Sequence, residues 1–99
     1  MKYYPVNLDI RNRNCLVVGG GDVGTRKVMT LLDCGARVVV VSPAVTEKIE
    51  ELSNKGLIKL ERRGFKPTDL DQMFLVIGAT DNPELNRQIH TGAERLGML

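Results

Sequence analysis

Two cysteines, Cys15 and Cys34, and a single histidine, His90, leave the 99-residue chain without the donor set of a dedicated thiolate metal site. Both cysteines are therefore expected to act as small buried hydrophobes. An excess of one charge is missing too. Fourteen basic against twelve acidic residues give a net charge of +2, and no basic stripe runs along the chain, so no nucleic-acid partner is expected. No apolar run approaches the roughly 20 residues of a membrane span, so no membrane partner is expected. Met1-Lys2-Tyr3-Tyr4-Pro5 lacks the apolar core of a signal peptide, and a cytoplasmic location follows as the default expectation. The chain has no internal repeat, no low-complexity linker, and no Ser/His/Asp triad or paired-acid site.

Glycine is plentiful, at ten residues, and its placement is informative. Cys15-Leu16-Val17-Val18 reads as a buried strand and runs directly into Gly19-Gly20-Gly21-Asp22-Val23-Gly24, a Gly-x-Gly-x-x-Gly sequence followed by a helix-period segment. In that order the pattern makes a phosphate cradle. Gly19 permits the tight turn, Gly21 lets the backbone approach a pyrophosphate, and Gly24 lets the helix pack close to the strand. The helix N-terminus then presents free N–H groups to the anion.

The remainder alternates strand and helix. Val6, Leu8 and Ile10 alternate with polar residues and predict a short extended segment, and Arg11–Asn14 a turn. Val23, Val28, Leu31 and Leu32 line one face of a helix that Gly35 stops. Val38–Val41 is a β-branched run suited to a central parallel strand, which Ser42-Pro43-Ala44 is expected to break. A helix with Val45, Ile49 and Leu52 on its inner face ends at Gly56. Leu57–Glu61 is a shorter, more polar strand near a sheet edge. Arg62–Asp71 is a loop with about one helical turn. Phe74–Ile77 is the next strand. Asp81-Asn82-Pro83-Glu84 opens the last helix with a cap, a proline and an acid, and Leu85, Ile89, Ala93 and Leu96 form its inner face up to Gly97. Met98-Leu99 resembles the first step of a further strand, so the chain is expected to be part of a longer protein. The predicted fold is α/β, a Rossmann-like open parallel sheet of order 3-2-1-4 with helices on both faces. Residues 1–99 would form one dinucleotide-binding domain, with its ligand crevice between strands one and four.

Candidate cofactor-binding residues follow from that crevice. Gly19, Gly21, Asp22, Val23 and Gly24 form the glycine loop, in which the Asp22 carboxylate is expected to cap the helix. Ser42, Pro43 and Ala44 stand at the end of the second strand, where dinucleotide sites often carry an acid for the ribose hydroxyls. Thr80, Asp81 and Asn82 follow the fourth strand, and either Asp81 or Asn82 could cap the helix there. The small Gly78 and Ala79 would admit a nucleotide or a flat substrate near the backbone. Arg26 and Lys27 fit a solvated helix face or a phosphate contact. Arg62, Arg63, Lys59 and Lys66 fit a solvated basic loop or a polycarboxylate contact. His90 is expected at the surface.

Tyr4-Pro5, Leu8 and Ile10, the Cys15–Val23 run, Arg26-Lys27 and Leu32 to Gly35-Ala36 resemble the opening of the siroheme synthase N-terminal domain family. Asp69-Leu70, Phe74–Ile77 and Ala79-Thr80-Asp81-Asn82-Pro83-Glu84-Leu85-Asn86 extend the resemblance over the whole chain. The family comprises precorrin-2 dehydrogenases, many of which are also sirohydrochlorin ferrochelatases. The resemblance implies NAD as cofactor, precorrin-2 and sirohydrochlorin as tetrapyrrole substrates, ferrous iron as a second substrate, and a homodimer at full length. It also implies that the glycine loop holds the pyrophosphate, that Ser42-Pro43-Ala44 borders the adenosine ribose, and that Thr80-Asp81-Asn82 flanks the nicotinamide. Gly24 departs from the alanine that many members carry. The family's key aspartate follows the next strand, beyond Leu99, so no catalytic residue is assigned here and the chain alone is expected to be inactive.

Two other readings compete. A non-catalytic NAD(H)-sensing domain of the kind found in potassium transport systems would carry an acid where Ser42 stands. An NADP-dependent reductase of another pathway would carry arginine where Pro43 stands.

Overall fold

In a computed structural model, which describes residues 6–98, a four-stranded, all-parallel sheet has the order β3-β2-β1-β4. The elements are β1 (Asn14–Gly20), α1 (Asp22–Asp33), β2 (Arg37–Val45), α2 (Glu47–Asn54), β3 (Lys59–Glu61), a 3-10 turn (Pro67–Leu70), β4 (Leu75–Gly78) and α3 (Pro83–Arg95). This is the order expected from the alternation of strand and helix. Tyr4-Pro5 and Leu99 lie outside the described residues. No helix among the described residues is long and apolar enough to cross a membrane.

The sheet divides its side chains by parity. Cys15, Val17, Val38 and Val40 face α1 and α2, meeting Val28, Leu31, Ile49 and Leu52. Leu16, Val18 and Val41 face the other way, onto Leu70 of the 3-10 turn and Ile89 of α3. β1 is buried on both faces because it is central, and its continuous apolar run reflects that. Burying a Leu or Ile of this kind stabilises by about 1.5–3 kcal/mol, so this pair of layers fixes β1 and with it the glycine loop at the strand's C-terminal end.

Each helix ends on the same local device. Gly35, Gly56 and Gly97 have φ of +81°, +74° and +69°. The N–H groups of Ala36, Leu57 and Met98 donate back to the carbonyls of Leu31, Leu52 and Ala93 at 2.9–3.1 Å. These are Schellman closures, in which the left-handed residue lets the chain turn back and satisfy the last carbonyls. The three stops read from sequence are thus local events. Met98 belongs to the closure of α3, and its side chain packs against the Leu16–Ile89 cluster.

Several expectations need correction. Val6–Ile10 forms no strand, and Val6 and Leu8 are exposed while only Ile10 packs inward. Ser42-Pro43-Ala44 does not end β2. Val18 pairs with Val41 and Gly20 with Val45, so two steps on β1 match four on β2. The extra residues bulge, which accommodates a proline that cannot donate to the ladder. Cys15 is buried, with its thiol pKa pushed up by desolvation, but Cys34 is exposed at the end of α1. Val23 and Leu96, expected on inner faces, are 47% and 58% exposed.

The basic loop after β3 is mostly paired within the chain. Arg62 meets Glu50 at 3.0 Å, and Lys59 meets Glu61 at 3.8 Å. Arg63 binds both carboxylate oxygens of Asp69, at 2.9 and 2.6 Å, and Asp69 also accepts from the Lys66 N–H. Hydrogen bonding from Arg63 holds the Asp69 carboxyl below its ordinary value of 3.8. A lowered folded-state pKa means that this contribution to stability is fully present above the ordinary value and is lost as the pH falls through the folded one. Asp69→Asn is therefore expected to melt below the wild type at neutral pH, with the gap narrowing on acidification below 3.8. Thermal melts across that range check this, and a gap independent of pH would contradict it.

Candidate functional site

The C-terminal ends of β1 and β4 and the start of α1 enclose a cleft of about 430 Å³ lined by Gly19, Gly20, Gly21, Asp22, Val23, Ala79, Thr80 and Asp81. It lies between strands one and four, where the crossovers to the two faces of the sheet diverge. That is the crevice in which open α/β sheets bind ligands.

Glycine is required here for different reasons at different positions. Gly19 has φ of +118°, and a Cβ on it would overlap the Ala79 carbonyl. A Cβ on Gly24 would overlap the Gly19 carbonyl oxygen, so the first turn of α1 sits directly on the end of β1. A Cβ on Gly20 would lie 2.6 Å from a Val45 methyl. Gly21 is the exception: its φ is −82°, and a Cβ there would meet nothing within 4 Å. Packing and backbone conformation thus explain Gly19, Gly20 and Gly24, and neither explains Gly21. Open space at that position is what a backbone cradle for a bulky anion requires.

The helix ends support the same reading. Thr46 caps α2 by accepting from the Ile49 N–H, and Asn82 caps α3 by accepting from the N–H groups of Glu84 and Leu85. The α1 N-cap is Gly21, with no side-chain cap hydrogen bond. Asp22, expected to cap, is instead the first helical residue. The first-turn N–H groups of Asp22, Val23 and Gly24 have no intrahelical acceptor by helix geometry, and the positive end of the helix dipole coincides with them. An anion can supply that missing cap.

Two hydrogen-bonded supports brace the loop. The Thr46 N–H donates to the Gly20 carbonyl at 2.9 Å. The Thr25 hydroxyl lies 2.8 Å from both the Gly21 carbonyl and the Thr46 hydroxyl. Thr25 has one hydroxyl proton, and donating it to Gly21 leaves Thr46 as donor to Thr25. On the opposite wall, Asn86 binds Thr80 through three hydrogen bonds. Thr25, Thr46 and Asn86 are absent from the supports that the sequence suggests: Thr25 and Thr46 meet across 21 residues, and Asn86 folds back six residues from α3 onto the loop after β4.

The candidate residues therefore separate. Gly19, Gly21, Asp22, Val23, Thr80 and Asp81 share the cleft, joined by Gly20 and Ala79. Gly24 is buried beneath it, and Asn82 is occupied as the α3 cap. Ser42, Pro43 and Ala44 do not line the cleft. Ser42 is 7% exposed and donates its hydroxyl to the Ala44 carbonyl at 2.7 Å, while Pro43 and Ala44 are exposed on the bulge. Gly78 makes room for Asn86, whose Oδ1 would lie 3.1 Å from a Cβ there, rather than for a ligand. His90 is exposed beside Glu94, and Arg26 and Lys27 are exposed on α1. Among the described residues no lysine or arginine lines the cleft, so the groups they offer an anion are main-chain amides.

With this geometry established, comparison with known proteins is decisive at the level of family. Residues 6–99 match the model of the family described as "Putative NAD(P)-binding". The chain belongs to this NAD(P)-binding family. Its members' cofactor class is the one the glycine loop led us to expect. Siroheme synthase of Nitrosococcus oceani is 42% identical over all 99 residues, and that of Methylococcus capsulatus 42% over 98. The chain spans about a fifth of the length of these curated relatives, 21% in each case. Among solved structures, SirC, a precorrin-2 dehydrogenase, superposes with a TM-score of 0.83 at 35% identity, covering 89% of this chain and 44% of SirC. The siroheme synthase resemblance seen in the glycine and Ala79–Asn86 segments thus extends to sequence and fold together.

The crowding at Gly24 has a measurable consequence in this member of the NAD(P)-binding family. In this backbone Gly24→Ala should destabilise the chain by about 1–3 kcal/mol, the usual range for overpacking, because α1 lies close enough to β1 for a Cβ to meet the Gly19 carbonyl, whereas a chain that carries alanine there must hold α1 further off. Chemical denaturation measures it, and wild-type stability would show that α1 can move off β1 at no cost.

Proposed function

We propose that the chain is the dinucleotide-binding part of an NAD-dependent precorrin-2 dehydrogenase of siroheme biosynthesis. One observation carries the reading. The uncapped N-terminus of α1 opens on a cleft in which Gly21 faces empty space, and a diphosphate meets both features at once. The relatives' names supply the tetrapyrrole, and the cleft supplies the cofactor chemistry.

The roles follow from the geometry. Main-chain N–H groups of Gly21, Asp22 and Val23 hold the diphosphate, and the open space at Gly21 lets it come close to the start of α1. With no cation among the described residues that line the cleft, binding rests on oriented amides and the helix dipole. Asp22 and Asp81 place carboxylates at the rim, where they accept from ribose hydroxyls or the carboxamide and repel a misplaced phosphate. Thr80 and Asp81 border the nicotinamide side, next to the Asn82 cap. Exposed Pro43 and Ala44 border the adenosine ribose, with Ser42 acting through the main-chain shape it fixes. When bound, NAD supplies a hydride acceptor for precorrin-2, giving sirohydrochlorin.

Residues 1–99 act in this reading as one NAD-binding unit within a cytoplasmic homodimer. Ferrous iron insertion into sirohydrochlorin is a second activity of the longer protein. The acid–base group for dehydrogenation comes from outside this segment, so the chain alone binds NAD without turnover.

The direct test is Gly21→Val. Its side chain enters open space, so the variant should fold, melting slightly below the wild type because valine is a poorer N-cap than glycine. Its NAD affinity should fall roughly a hundredfold or more, the expected result of losing two charge-assisted hydrogen bonds of about 1.5–3 kcal/mol each. Calorimetric titration reads this, and wild-type NAD affinity in the folded variant would defeat the reading. Replacing the corresponding segment of a siroheme synthase with this chain should preserve NAD-dependent turnover of precorrin-2. NAD binding without turnover in that hybrid would favour a sensing role instead.

A further inference from the structure

Asn86 projects from the first turn of α3 back to the end of β4, and the three hydrogen bonds of its side chain all go to one residue. Its Oδ1 accepts from the Thr80 N–H at 3.2 Å and from the Thr80 hydroxyl at 2.7 Å. Its Nδ2 donates to the Thr80 carbonyl at 3.0 Å. The Thr80 hydroxyl also accepts from the Asn82 N–H at 3.2 Å. Every polar group of Thr80 is therefore engaged by the protein. Thr80 lines the cleft without offering it a donor, and the next residue, Asp81, presents the free polar side chain of that wall.

The lock sits at the edge of the described sheet. Among the described residues β4 pairs only with β1, and its three apolar residues are partly buried, packed against the two core clusters. Beyond Gly78, the Ala79 N–H donates to the Val18 carbonyl at 2.8 Å, and this is the last ladder bond before the loop. A Cβ on Gly19 would touch the Ala79 carbonyl and lie 3.0 Å from the Thr80 nitrogen, so a shift of Thr80 changes the clearance over Gly19 directly. The absence of a side chain at Gly78 is explained by the same contact, since Asn86 packs against it.

We propose that Asn86 is a positioning residue. Resting on the NAD reading above, it holds Thr80 and Asp81 at the distance from Gly19 that the nicotinamide half of the cofactor requires, while the glycine loop holds the diphosphate independently. The two walls have separate supports, Thr25 and Thr46 for one and Asn86 for the other, so their failures are separable.

The experiment compares two probes, NAD and ADP, by calorimetry on the full chain carrying Asn86→Ala or Asn86→Asp, with hydrogen exchange of the Thr80 amide measured without nucleotide. The carboxylate of Asn86→Asp keeps the acceptor for the Thr80 N–H and hydroxyl and guards against a folding failure of the alanine variant. In Asn86→Ala, NAD affinity should fall about tenfold, as expected for the loss of roughly one net hydrogen bond's worth of preorganisation. ADP affinity should stay within about twofold, and Thr80 exchange should accelerate. Asn86→Asp should fall between wild type and alanine. A merely structural role would weaken NAD and ADP together, and that outcome, or an unchanged NAD:ADP ratio with faster Thr80 exchange, overturns the proposal. Failure of the wild type to bind either probe would instead remove the NAD reading, and the inference with it.

Discussion

Everything at the candidate site depends on the contact between Gly24 and the carbonyl of Gly19. Through it the first turn of α1 rests on the last residues of β1 with no side chain between them. Gly19 is crowded from the other side by Ala79, so β1, α1 and the exit from β4 converge on a single residue in a left-handed conformation. Because all three segments are pressed together, the first-turn amides of α1 lie beside the wall formed by Ala79, Thr80 and Asp81. Without that convergence there would be a helix and a loop, and no cleft between them.

The supports of the cleft are hydrogen bonds between different elements, across 21 residues at Thr25 and Thr46 and across six at Thr80 and Asn86. Thr46 serves twice, as the cap of α2 and as the residue that reaches back to Gly20 and Thr25. It can do so because β2 bulges by two residues at Ser42–Ala44 and rejoins β1 at Val45. A regular β2 would deliver Thr46 elsewhere. The bulge that spoils the strand pattern is thus what connects α2 to the glycine loop. The buried Ser42 hydroxyl stabilises the bulge from inside by donating to Ala44.

Periodicity and end signals were good guides wherever structure is decided within a few residues. Gly35, Gly56 and Gly97 stop their helices as read, since a Schellman closure needs only a residue tolerant of positive φ. The strand order follows from the alternation of strand and helix along the chain. The misreadings share a cause. Pro43 signals a strand end only if no bulge accommodates it. Asp22 can cap only if it precedes the helix, and Gly21 takes that place. Val23, Leu96 and Cys34 have apolar character, yet each lies at a helix end, where the neighbouring layer does not reach. Gly78 and Gly21 look alike in sequence, but one accommodates a protein side chain and the other faces open space.

A strand–glycine–helix order carries an anion cradle with it, because it needs only a short loop, a helix N-terminus and the absence of Cβ atoms. These are local properties, and residues 14–35 alone contain them. Which glycine is left free, which candidate residues share a wall, and which are used up as caps and braces are matters of register between distant segments. Packing of Leu16, Val18 and Ile89 on one face and of Val17, Val28 and Ile49 on the other sets that register. No periodicity encodes it, because the energy that selects it belongs to the assembled layers.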